Sequence, residues 1–146
     1  MNGRQEGLDQ HFIQLRLICS AILGGVVIFG GVVWYLLDSG AYAPGEVLPS
    51  YLALLLNVVA LLVLILALFL PRFFPHPGRG AEPDRILNWH KRNVILGFAL
   101  REGAAFLALI GVLVTGEEPG GYAVAALAVV AMVMSWPRKS QLEGEA

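Results

Sequence analysis

Residues 51–70 read YLALLLNVVALLVLILALFL. The stretch has no charge, no glycine and no proline, and Asn57 is the one side chain in it with an amide. At 1.5 Å of rise per residue it is about 30 Å long as a helix, the thickness of a bilayer's hydrocarbon core. A helix on the surface of a soluble domain carries a polar face opposite its apolar stripe. This one is Leu, Val and Ala nearly all round, which suits contact with lipid and decides the fold class.

Three more apolar runs flank it: Leu17–Leu37, Val94–Gly116 and Gly121–Trp136. Together they make the chain 57% hydrophobic and 14% charged, where a soluble domain carries about a quarter charged residues. The last run is shorter, but Tyr122 and Trp136 at its ends suit interfacial anchoring. The expected fold is an all-α membrane protein of four transmembrane helices, near 13–37, 51–70, 84–116 and 121–136, forming one domain over 1–146. The apolar run before Asp38 is longer than a signal-peptide core, and Pro44 follows the small-x-small pattern Ala41-Tyr42-Ala43, so an uncleaved anchor is expected.

The charge is asymmetric. Of ten Lys and Arg residues, nine fall on one side of this plan: Arg4, Arg16, Arg72, Arg79, Arg85, Lys91, Arg92, Arg138 and Lys139. The segments 38–50 and 117–120 have none. The positive-inside rule then puts both termini and the 71–83 loop in the cytoplasm of a plasma (inner) membrane of bacterial type. Arg72, Arg79, Arg85, Lys91 and Arg92 are candidates for anionic lipid headgroups, and Phe73 and Phe74 for the interface. In the same loop Pro83 suits the first turn of a helix that runs on into the membrane.

The two halves look related. A shift of 77 residues lays Ile18, Leu23 and Phe29 on Ile95, Leu100 and Phe106. Each half then has an acidic Pro-Gly turn, a second helix starting near Tyr, and a Pro-Arg ending. The plan is two helical hairpins in parallel repeat, N-in and C-in. Ser20, Gly24 and Gly31 give helix 1 a face on which another backbone can come close, and Gly103 lies in the corresponding small stretch of helix 3. Helices 1 and 3 are expected inside and helix 2 outside.

No chemistry is spelled out elsewhere. Cys19 is the single cysteine, so no intrachain disulfide forms. His76 and His90 lack the i, i+4 spacing of a metal site, and Gly78-Arg79-Gly80 lacks the Gly-Lys-Ser/Thr of a phosphate loop. There is no nucleophile–base pair and no nucleic-acid signature. No enzyme activity, metal or cofactor is expected.

Arg101 and Glu102 are the exception, adjacent charges within an apolar run. Measured from Val94, Glu102 lies about 12 Å along the helix. Measured down from Thr115 by the length of the shorter fourth helix, the membrane boundary falls near Leu100. Neighbours on a helix point about 100° apart, so each charge needs its own partner. For Glu102 the candidates are Ser20, Ser135 or an Arg of another copy. A charge inside a membrane helix is a functional candidate by default.

The segment Ala99-Leu100-Arg101-Glu102-Gly103-Ala104-Ala105 resembles the Ala-Leu-x-Glu-small-small segment of rotary ATPase proteolipid subunits. That resemblance implies a carboxylate carrying a proton or sodium ion at Glu102. It departs from the family in an off-centre carboxylate, an arginine beside it, and a second helix without glycine. The second hairpin through Trp136-Pro137-Arg138-Lys139-Ser140-Gln141-Leu142-Glu143 is similar to small four-helix bacterial membrane proteins of unassigned function, which implies no activity. The resulting expectation is an accessory or oligomer-forming subunit that meets lipid and either its own copies or other membrane subunits. The alternative is proton or cation translocation through Glu102.

Overall fold

Each apolar run folds as a helix. A computed structural model of the chain describes residues 2–44, 51–74, 77–78, 82–116 and 118–137, and over these it has four helices and no strand. They are α1 (Asn2–Asp38), α2 (Tyr51–Phe73), α3 (Pro83–Thr115) and α4 (Glu118–Met134). Three are long and apolar enough to cross a membrane, over Gln10–Asp38, Tyr51–Leu70 and Arg85–Thr115, while Pro119–Met134 is a shorter apolar helix.

Local chemistry sets the ends. Pro83 sits in the first turn of α3, where its missing N–H is no loss. Gly116 closes α3 in the left-handed region at φ 72°, with its N–H donating to the Val112 carbonyl at 2.8 Å. Gly40, at φ 66°, follows α1 in the same way. One boundary differs from the sequence expectation. α1 starts at Asn2, well before residue 13, and its buried stripe takes in Phe12 and Leu15, both under 4% exposed.

Contacts fix the directions. α1 runs alongside α3 in the same sense: the Phe12 and His90 rings are 6.3 Å apart at one end, and Pro44 abuts Gly116 at the other. Between them Phe29 meets Phe106 edge-on at 5.1 Å. α2 runs opposite to α3, with Leu56 beside Gly111 and Phe74 beneath Trp89 and Arg92. α4 also runs opposite, with Gly121 against Ala108 and Val112 and Trp136 against Phe98. The starts of α1 and α3 and the ends of α2 and α4 therefore lie at one end of the bundle.

The neighbours differ from those expected. α3 touches all three other helices, and α1 and α2 make no close backbone contact. The most extensive interface is α2 with α3, so α2 is not an outer helix added to an α1–α3 pair. The first half is accordingly not a packed hairpin. The chain between α1 and α2 passes the end of α3, where Pro44 meets Gly116. The twelve residues from 39 to 50 can reach about 40 Å, ample to cross one helix.

The seams are lined with small residues at heptad spacing. α2 turns Ala53, Ala60 and Ala67 inward, and α4 turns Gly121, Ala125, Ala128 and Met132 inward. α3 answers with Ala104, Ala105, Ala108 and Gly111. Side chains this small let the helix backbones come close. The outward faces remain large and apolar, as at Leu17, Ile28, Leu54 and Leu62.

Candidate functional site

The two adjacent charges lie on the most enclosed helix. Of the apolar window of α3, 44% is buried, against 17% for α1 and 22% for α2. Three neighbours shield α3, which is why it can hold polar groups that a lipid-facing helix would not. Arg101 is only 7% exposed.

Arg101 and Glu102 diverge as the helical geometry requires. The Arg101 side chain lies back along α3, with Nη1 3.5 Å from the place a Cβ on Gly97 would take. That is the usual lean of a helical side chain toward the N-terminus. Its guanidinium carbon is 6.0 Å from the centre of the Phe98 ring, at the outer limit of a cation–π contact. Its Nε has no hydrogen-bond partner among the described residues. Glu102 turns to α1, where Oε1 is 3.6 Å from the place of a Cβ on Gly25. Gly25 leaves room for that carboxylate between the helices.

The hydroxyls proposed for Glu102 are elsewhere. Ser135 donates to the Ala131 carbonyl of its own helix at 2.7 Å, and Ser20 is exposed. The packing residues divide likewise. Within one chain the α1–α3 contact uses Gly25 and Gly30, the latter 3.7 Å from Leu109 through a hypothetical Cβ. A Cβ on Gly24, Gly31 or Gly103 would meet nothing within 4 Å. Ser20, Gly24 and Gly31 form a face of α1 on the side opposite Cys19, Val26 and Val33, which are buried.

The basic residues at the start of α3 do local work. Arg92 lies over the Phe74 ring at 4.5 Å, and the Trp89 indole N–H donates to the Phe74 carbonyl at 3.4 Å. The two tie the end of α2 to α3. Phe73 and Arg85 are exposed and Lys91 is half-buried. The side chain of Arg72, and Arg79, Arg138 and His76 altogether, lie outside the described residues. No group of three or more His, Cys, Asp or Glu side chains gathers as a metal site among the described residues.

Asn93 belongs to the same site and sequence reasoning did not single it out. It is 8% exposed, and neither its Nδ2 nor its Oδ1 has a hydrogen-bond partner. Asn93, Gly97 and Arg101 follow at i, i+4 and i+8, one stripe along a single face of α3. That spacing was the available signal. Comparisons of the chain with protein families, with curated proteins and with solved structures give no match.

Proposed function

We propose that this chain is an integral protein of a bacterial-type plasma membrane, with both termini cytoplasmic, that works by association as a small accessory or oligomer-forming subunit and has no catalytic activity of its own. The observation carrying this reading is the outward face of α1. Its glycines are spaced for close backbone approach, yet Gly24 and Gly31 have nothing near them within the chain. Such a face is complete only against a second helix, from another copy or another subunit. The alternating helix directions and the cluster of basic residues at one end support the orientation.

Replacing Gly24 and Gly31 together with Leu is expected to abolish the oligomer or complex seen on native gels without lowering the monomer's melting temperature, since a Cβ at either position would meet nothing in the rest of the chain and glycine is the poorer helix former. A double variant that keeps wild-type mobility rejects the association reading.

A second reading rests on Glu102, whose carboxylate occupies the α1–α3 interface against Gly25. In that reading it carries a proton or cation between the two helices. Glu102→Gln then assembles normally and loses proton uptake in sealed liposomes. Unchanged uptake, or none in the wild type, removes this alternative.

A further inference from the structure

The Asn93–Gly97–Arg101 stripe poses a charge problem. A guanidinium inside a helix bundle is tolerated when a counter-charge or hydrogen-bond acceptors face it. The carboxylates with described side chains are Asp38, at the far end of α1, Glu82, exposed before α3, and Glu102, turned to α1. None faces Arg101. One turn beyond Gly97, the Asn93 amide is buried with both its donor and its acceptor unmet.

We propose that Arg101 and Asn93 form an interhelical site for the phosphodiester of an anionic, hydroxyl-bearing lipid headgroup. Three features fit that ligand. The guanidinium fork matches phosphate oxygens, and its charge is opposite. Gly97 leaves the α3 backbone bare between the two side chains, and a Cβ there would lie in contact with Nη1 at 3.5 Å. The Asn93 amide can donate to a phosphate oxygen, while its Oδ1 needs a donor, which a headgroup hydroxyl supplies. A fully ionised phosphate monoester carries no hydroxyl and would leave that acceptor unmet. Position agrees as well. The stripe lies toward the end of the bundle where Arg85, Lys91 and Arg92 raise the local concentration of anionic headgroups. α4 ends at Met134, and Trp136 reaches only the level of Phe98, so Asn93 lies beyond the end of that helix.

The inference rests on the membrane reading and is independent of the association reading. It is tested by reconstituting the full chain in nanodiscs of phosphatidylcholine alone, or with phosphatidylglycerol or phosphatidic acid added, and in phosphatidylcholine with inorganic phosphate in the buffer. Melting temperature and lipids retained in native mass spectra are the readouts. The wild type is expected to gain stability from phosphatidylglycerol, less from phosphatidic acid and none from inorganic phosphate. Arg101→Leu is expected to lose that gain and to be as stable as the wild type, or more so, in pure phosphatidylcholine, because it removes an uncompensated buried charge. Asn93→Leu keeps the charge and is expected to abolish the preference for phosphatidylglycerol over phosphatidic acid. Arg16→Gln, exposed on α1, is expected to keep it.

Arg101→Leu less stable than the wild type by the same amount in every lipid means that the arginine is partnered within the protein, and overturns the site. So does a gain from phosphatidylglycerol that survives both core variants, or no gain in the wild type. A gain from inorganic phosphate equal to that from lipid assigns the site to a free anion and rejects the lipid. Failure of the wild type to enter nanodiscs at all counts against the membrane reading itself.

Discussion

Gly121 shows how far one side chain can be constrained here. A Cβ at this position would lie 2.8 Å from the Ala108 carbonyl oxygen and closer still to the Val112 methyl Cγ2. The carbonyl belongs to the α3 backbone and cannot swing aside. Gly121→Ala is therefore expected to force α4 away from α3, at a cost of about 1–3 kcal/mol for overpacking. Gly103→Ala is the control, with nothing near its Cβ, and is expected to gain about 0.5–1 kcal/mol from helix propensity. Thermal unfolding in mild detergent separates the two, and equal melting temperatures would contradict the packing of α4 on α3. The sequence pointed to Gly103, while the tight contact within the chain falls at Gly121. Gly103 stands among alanines in an apolar run, where small residues look like an interface. Gly121 follows Pro119-Gly120, where a glycine reads as part of a turn. What distinguishes them is which backbone lies opposite, and no local pattern encodes that. The same holds for Arg101 and Glu102: their divergence follows from the 100° step between neighbours, but the unmet amide of Asn93 and the glycine beside Glu102 depend on other helices.

At the scale of the helix, existence and type were legible and neighbours were not. Three long apolar runs and a shorter fourth, with Pro83 at one start and Gly116 at one end, leave little freedom in the element order. In water an amphipathic stripe would also show which face is inside. Where a helix is apolar all round that contrast vanishes, and residue size takes its place. α2 illustrates the consequence. Its lack of glycine suggested a lipid-facing helix, yet Ala53, Ala60 and Ala67 recur every seven residues and are buried, while Leu54, Leu61 and Leu68 beside them are exposed. Alanine at heptad spacing is the size code that glycine counting overlooks. α1 carries two such codes on opposite sides: Gly25 and Gly30 meet α3, and Ser20, Gly24 and Gly31 face away. Reading small residues as one interface merged the two. The early start of α1 was hidden because residues 2–12 are polar on average, and Phe12 is the one among those with described side chains that is buried.

Across the whole molecule the two halves meet in register. Phe29 pairs with Phe106 and Gly25 with Glu102, an offset of 77 residues in both, the shift that aligns the halves in sequence. Residues at equivalent positions facing one another are what a two-fold axis between α1 and α3 would produce. The remaining helices break that symmetry. α4 packs along α3, whereas α2 leaves α1 and joins α3 and α4. α1 is thereby attached to the bundle through α3, with only slight contact to α4 and no close backbone contact with α2. Exchange of α1 between copies would preserve every α1–α3 contact, so the pairing within one chain is a separate claim and needs its own test. With Cys19 replaced by Ala, cysteines at positions 30 and 109 occupy a contact in which the glycine Cβ and the leucine side chain are 3.7 Å apart. Mild oxidation is expected to cross-link them within one chain, giving a band that migrates as a monomer. Chains carrying only one of the two cysteines, when mixed before reconstitution, are expected to give no heterodimer through this pair. A covalent dimer formed from the two single-cysteine chains would mean that α1 packs on the α3 of its neighbour, and would make the bundle described here a composite of two copies.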